Sequence, residues 1–188
     1  MSDVNSMKGK RAIVTGGGTG LGAATALGLA RRGVNLCINY NSSAEAANEV
    51  VAECQKLGVE AFAVKANVAE DADCRALVDA AVTKFGGLDV LINNAGITKF
   101  AAHSDLDALD AEDFLRLYKV NVVAVYQMTR AAKPHLAAAG KASVVNVSSI
   151  AGVTGIGSSI AYASTKGALN TMTLSLARAL APNIRVNA

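Results

Sequence analysis

Residues 11–22 read Arg11-Ala12-Ile13-Val14-Thr15-Gly16-Gly17-Gly18-Thr19-Gly20-Leu21-Gly22, a short apolar run followed at once by glycines. This order fits a strand turning into a helix. Residues 23–32 are rich in Ala and Leu, carry Arg31 and Arg32 at their end and stop at Gly33, the signs of a helix C-terminus. Glycines serve such a turn in two ways: they adopt backbone conformations that a Cβ forbids, and they let a pyrophosphate approach bare N–H groups at the helix N-terminus. A flexible turn is the competing reading of the glycines alone; the strand before and the helix after favour phosphate binding. A mononucleotide P-loop is disfavoured, because Ala23 follows Gly22 and no Gly-Lys-Ser/Thr occurs.

Outward from this turn the chain alternates apolar, strand-like runs with longer periodic segments. Strands are predicted at 12–15, 34–39, 60–65, 88–92, 143–147 and 184–186, and helices at 43–57, 70–85, 111–139 and 161–181. Such alternation predicts an α/β fold, a doubly wound parallel sheet with helices on both faces. Right-handed crossovers put the strand C-terminal ends on one edge, and ligands bind outside that edge. Gly16 to Gly22, then Asn93-Asn94-Ala95-Gly96, then Ser148-Ser149 all fall there.

Tyr162-Ala163-Ser164-Thr165-Lys166 places a phenol and an ammonium four residues apart in a helical run, hence on one face. A free tyrosine has a pKa of about 10, too high for easy proton exchange at neutral pH, and a neighbouring cation lowers it by favouring the phenolate. Alone, the pair also reads as a surface Lys beside a half-buried Tyr.

Together these motifs make the chain resemble the short-chain dehydrogenase/reductase family over nearly its whole length. Thr15, Gly16, Gly20 and Gly22 match the Thr-Gly-x-x-x-Gly-x-Gly turn, Asn93 to Gly96 the Asn-Asn-Ala-Gly signature, and Tyr162 and Lys166 the Tyr-x-x-x-Lys pair. The resemblance implies a Rossmann-type sheet and four catalytic residues. Tyr162 would donate a proton to a substrate carbonyl that receives hydride from a nicotinamide, and Lys166 would lower the tyrosine pKa and bind the nicotinamide ribose. Ser149, thirteen residues before the tyrosine, would hold the carbonyl oxygen, and Asn121 would support a water linking Lys166 to solvent. Ser148 would merely end a strand, and Asn93 would steady the sheet edge and the cofactor loop. His103 reads as a solvated loop residue and stays outside the site.

For the cofactor, Gly18, Thr19, Leu21, Asn94, Ala95 and Gly96 join the glycine turn, with Tyr162 and Lys166 at the nicotinamide end. Asn67, before Val68, stands where the family usually has an aspartate that reads adenine; an amide oxygen could accept from the adenine amino group, and a plain turn asparagine is the other reading. At the second strand's end, where enzymes using the unphosphorylated cofactor place an acid, this chain has Tyr40. Ser42 and Ser43 could cradle a 2'-phosphate, or Ser42 with Glu45 could form a helix capping box. Thr19 departs from relatives that carry a base before the second glycine. NADP(H) is favoured, and NAD(H) is possible.

The 188 residues suit a single domain that both binds dinucleotide and carries the chemistry, with no linker, repeat or low-complexity tract. The formal net charge of +3 is too diffuse for nucleic acid, no apolar stretch approaches a membrane span, and the polar start, residues 1–10, lacks a signal-peptide core. A cytoplasmic protein acting on a small-molecule carbonyl or alcohol is expected. Cys37, Cys54 and Cys74 form no CxxC, so buried free thiols are expected, with no metal site. Residues 161–181 are apolar around much of the helix, through Leu169, Met172, Leu174, Leu176 and Leu180, and the resemblance implies a homotetramer; tolerated exposed alanines are the alternative. Relatives continue past the sixth strand with a Pro-Gly turn, a helical lid and an edge strand, so the chain is expected to be a C-terminally incomplete form of a longer enzyme. Within that expectation stand a 3-oxoacyl-thioester or related ketone reductase and, as alternatives, a sugar or secondary-alcohol dehydrogenase and a non-catalytic nicotinamide-binding regulatory module. The complete Asn121, Ser149, Tyr162, Lys166 set argues against the last.

Overall fold

A computed structural model describes residues 7–188; the first six residues of the polar start lie outside the described residues. Six strands, β1 (Arg11–Val14), β2 (Asn35–Tyr40), β3 (Ala61–Lys65), β4 (Val90–Asn93), β5 (Ala142–Asn146) and β6 (Ile184–Asn187), form one sheet in the order β3-β2-β1-β4-β5-β6. Every pairing is parallel, with Ile13 opposite Cys37 and Leu91 at the centre. The order in which strands are added reverses between β1 and β4, and a crevice opens where the crossovers leave to opposite sides.

Alternate strand residues face opposite layers. Ile13, Cys37, Leu91 and Val144 pack against α3 (Asp71–Phe85), α5 (Ala124–Ala138) and the end of α7 (Ile160–Leu180), through Leu77, Met128, Leu136 and Leu180. Ala12, Val14, Leu36 and Ile38 pack on the other face against α1 (Gly20–Ala30) and α2 (Ala44–Lys56), through Ala26, Ala47, Val50 and Cys54. All three cysteines are buried and free, as expected. Burial pushes the thiol pKa of Cys37 up to about 12 and those of Cys54 and Cys74 up to about 11.

Three local expectations are corrected. The predicted single helix 111–139 is α4 (Ala111–Tyr118) and α5 separated by a π turn, Lys119–Val123, in which the Ala124 N–H donates to the Lys119 carbonyl five residues back. The extra residue changes which side chains face inward, and apolar periodicity does not register it. The capping box at Ser42 and Glu45 is absent: Ser43 is the N-cap, without a side-chain capping bond, so helix position N3 falls on Ala46 instead of an acid. A four-residue helix, α6 (Ala151–Thr154), follows Ser149 where no element was predicted. Of the apolar residues read around α7, Leu169 is buried, Leu176 and Leu180 pack on the core, Met172 is half-buried and Leu174 is 60% exposed. No helix among the described residues is long and apolar enough to cross a membrane.

Candidate active site

The turn after β1 is held in place from three directions. Asn94, just past β4, donates from Nδ2 to the carbonyls of Thr15 (2.9 Å) and Gly16 (3.0 Å). Thr15 Oγ1 accepts from the N–H groups of Asn94 and Ala95, both at 3.0 Å, and donates to the Ile92 carbonyl. On the other flank the Gly16 N–H donates to Asn39 Oδ1, while Asn39 Nδ2 donates to the Ala66 carbonyl at 2.9 Å. One buried amide at the end of β2 thus ties the turns after β1 and β3 together. Asn39 went unrecognised in the sequence because only its neighbour, at the cofactor-choice position, carries a local signal.

These turns wall a cleft of about 410 Å³ at the β1/β4 reversal. Its floor is Gly16, Gly18, Thr19, Gly20, Leu21 and Gly22; one end is Tyr40, Ser42, Ser43, Asn67 and Val68, and the other Asn94, Ala95 and Gly96. Each is a residue expected at the cofactor. Thr15 is buried beneath the turn and supports it from behind. Asn39, Asn41, Ala66, Ile97 and Val120 also line the cleft and were not foreseen. A dinucleotide fits. At Gly22 an added Cβ would stand 2.3 Å from the Gly16 carbonyl oxygen, so only glycine leaves the turn tight, and the first N–H groups of α1, which lack intrahelical partners, open on the cleft. Asn67 Oδ1 accepts from the Ala69 N–H at 3.1 Å, the turn role that is one of its two readings, and its second lone pair is left for another donor.

A second cleft of about 560 Å³ adjoins the first along Leu21, Asn94, Gly96 and Ile97, and Ser149, Tyr162 and Lys166 line it. Tyr162 and Lys166 lie on one face of α7, with Lys166 Nζ 5.6 Å from the Tyr162 ring centroid. Ser159 caps the helix by accepting from the Tyr162 N–H at 3.2 Å, which fixes the backbone under the phenol. Lys166 Nζ donates to the Val147 carbonyl at 2.8 Å, and burial lowers its pKa. Ser149 Oγ accepts from the Ala151 N–H at 3.2 Å, which orients the hydroxyl and leaves its proton for another acceptor. Ser148 Oγ is spent on Asn170 Oδ1 at 2.6 Å, in keeping with a structural part.

Asn121 sits in the π turn, and its amide is committed. Oδ1 accepts from the Ile97 N–H, Nδ2 donates to the Ile97 carbonyl, both at 2.9 Å, and Nδ2 also donates to Thr165 Oγ1 at 3.1 Å. The side chain therefore clamps the loop after β4 to α7 beside Lys166. Asn93 donates to Asn146 Oδ1 at 2.9 Å and to Thr129 Oγ1, and Asn146 donates to Thr173 Oγ1 at 2.9 Å, a buried polar chain joining α5, β4, β5 and α7. Asn93 steadies the sheet edge, and Asn94 is the residue that holds the cofactor loop.

A family model described as short chain dehydrogenase matches residues 10–188. The chain belongs to that family. The 3-oxoacyl-acyl-carrier-protein reductase of Staphylococcus aureus is 37% identical over 180 residues, 95% of this chain and 72% of that protein. Among solved structures, a short chain dehydrogenase from Burkholderia cenocepacia in complex with NADP is similar at 41% identity and a TM-score of 0.90, covering 97% of this chain and 74% of that one. An NAD+-bound xylitol dehydrogenase is similar at 34% identity and a TM-score of 0.91, covering 97% and 70%. Membership in the short-chain dehydrogenases makes this chain an oxidoreductase that takes a nicotinamide cofactor.

Proposed function

We propose that this short-chain dehydrogenase is an NADP(H)-dependent carbonyl reductase acting on a 3-oxoacyl thioester or a related ketone. One observation carries the reading: the cleft holding Ser149, Tyr162 and Lys166 adjoins the glycine-turn cleft along Leu21, Asn94, Gly96 and Ile97, which sets a carbonyl beside a nicotinamide at the phenol. When bound, the cofactor supplies the hydride that reduces the carbonyl carbon. Tyr162 donates the proton to the oxygen, Ser149 holds that oxygen through its free hydroxyl proton, and Lys166 sets a cation 5.6 Å from the centre of the phenol ring. Asn121 is a positioning residue, setting Ile97 and Thr165 around the lysine.

The preference for NADP(H) is supported by the lining at Tyr40, Asn41, Ser42 and Ser43. It contains no carboxylate to repel a 2'-phosphate, and the serine hydroxyls are free of the capping role. Lys65 lies opposite Tyr40 in the β2–β3 register, a cation on the same side. The likeness to NAD+-bound xylitol dehydrogenase favours a second reading, oxidation of a secondary alcohol or polyol with NAD+. The proposal further places both binding and chemistry in one domain and the enzyme in the cytoplasm as a homotetramer. Three buried free thiols suit a reducing compartment, and exposed Val123, Tyr126 and Leu174 offer apolar surface for assembly.

The test is oxidation of NADPH by the purified protein over a panel of ketones and 3-oxoacyl thioesters, repeated with Tyr162→Phe. The variant keeps the ring and loses the proton donor, so turnover should fall at least about a thousandfold while the Kd for NADPH stays within about twofold. Turnover by Tyr162→Phe near the unmodified rate would refute the assignment.

A further inference from the structure

The catalytic cleft has an apolar mouth that the chemistry above does not use. Leu21, Phe100, Ile150 and Ile156 line it and are 61%, 83%, 71% and 75% exposed. Single apolar side chains are common on any surface, but four that line one cleft beside the reacting groups are apolar surface of the kind that meets a ligand. The polar groups nearby are already engaged. Lys166, the one charged residue of the lining, turns its Nζ to the Val147 carbonyl; Ser148 bonds Asn170; and the hydroxyls of Thr98 and Ser158 bond each other. Beyond the oxygen held by Ser149 and Tyr162, the four apolar side chains of the mouth offer a hydroxyl-bearing arm no hydrogen-bond partner.

The mouth is also built to a set width. Phe100 lies in the loop after β4, and Ile156 in the loop before α7. The Ala101 N–H donates to the Ser158 carbonyl at 2.9 Å, and His103 Nε2 lies 3.2 Å from the Gly157 carbonyl oxygen, so these bonds and the Thr98–Ser158 pair cross-tie the two loops. Gly157 sits against the Tyr162 ring, where an added Cβ would be 3.4 Å from Cδ1. The braced walls therefore stand at a defined distance from the phenol, and an arm filling the mouth need not order them.

We propose that Leu21, Phe100, Ile150 and Ile156 are specificity-determining residues that select a carbonyl substrate with an apolar arm next to the carbonyl and reject polyhydroxylated ones. This rests on the carbonyl-reductase reading and names the substrate class within it. Each methylene of the arm moved from water to the mouth is worth about 0.8 kcal/mol when fully buried, about fourfold in kcat/KM, and about twofold where the rim leaves it half exposed. A hydroxyl in its place is disfavoured, because burying it without a partner costs free energy.

The experiment measures kcat/KM for the full-length protein with NADPH across a homologous series of straight-chain 2-ketones and a set of ketoses, then repeats it with Phe100→Ser and Ile156→Ser. Expected are a two- to fourfold rise per methylene over the first several members, poor ketose turnover, and a flattened chain-length slope in each variant. Melting temperature and the Kd for NADPH should not change with the slope, because both residues are exposed. A flat slope, a preference for ketoses, equal losses on all ketones in the variants, or a variant that changes only the oligomeric mass would each overturn the proposal while leaving carbonyl reduction standing. No NADPH oxidation with any carbonyl compound would sink the underlying reading, and this one with it.

Discussion

Gly22→Ala should break the cofactor turn although it adds only one methyl group. The new Cβ would stand 2.3 Å from the Gly16 carbonyl oxygen and 2.5 Å from Asn94 Nδ2, so either the turn or the Asn94 amide must move. That amide donates to both Thr15 and Gly16 carbonyls, and losing the two bonds costs about 2 kcal/mol. Crowding in a packed site adds about 1–3 kcal/mol. Alanine's better helix propensity returns at most about 1 kcal/mol. The net is a loss of about 3 kcal/mol, or roughly 6–12 °C in Tm for a domain of this size. Gly28→Ala is the control: it lies within α1, its Cβ would meet nothing nearer than an arginine nitrogen at 4.0 Å, and the propensity gain should raise Tm by roughly 2 °C. Scanning calorimetry gives the two shifts, and fluorescence titration with NADPH should show at least about a tenfold weaker Kd for Gly22→Ala alone. A Gly22→Ala protein with wild-type Tm and NADPH affinity would refute the claim that this turn has no room for a side chain.

Tyr40→Asp puts a carboxylate at the end of β2 where the lining now has none, so the NADPH Kd should weaken about tenfold relative to that of NADH; paired titrations check this, and tighter NADH binding by the unmodified protein would remove the basis for the NADP(H) preference. Burial alone would raise the Asp89 pKa, but hydrogen bonds from Arg11 (2.7 Å) and Lys10 (2.9 Å) outweigh it and hold the carboxyl below its ordinary value of 3.8. Its stabilisation is therefore complete above that pH and is lost as pH falls through the depressed pKa, so Asp89→Asn should lower stability at pH 7 by about 2 kcal/mol and flatten the acid side of a Tm-against-pH curve. The buried thiols, with pKa values of about 11 to 12, should resist iodoacetamide at pH 8 in the native protein and all react in urea, as intact mass would show; rapid native labelling at any of the three would contradict their burial.

The strand-to-helix turn at Thr15 to Gly22, the alternation of strands and helices, and the pairing of Tyr162 with Lys166 were all legible in the sequence. Each is a local property: turn chemistry, apolar period and a four-residue helical offset act within one element, and each strand begins or ends within two residues of its expected bound. What only the tertiary structure decided lies between elements. The π turn that aims Asn121 at Ile97 and Thr165 adds one residue to a helix without disturbing its apolar pattern enough to be seen. Asn39 bridges the turns after β1 and β3, and Asn94 holds a turn 78 residues earlier in the chain. Ser42 looked like a cap until the start of α2 fell one residue later. Hydrogen-bond partners far apart in sequence are chosen by the sheet order, which brings β1 between β2 and β4, and no periodicity within a segment encodes that choice. Local sequence therefore specified which groups this protein has for chemistry, and the packing of the sheet specified which of them are free to perform it.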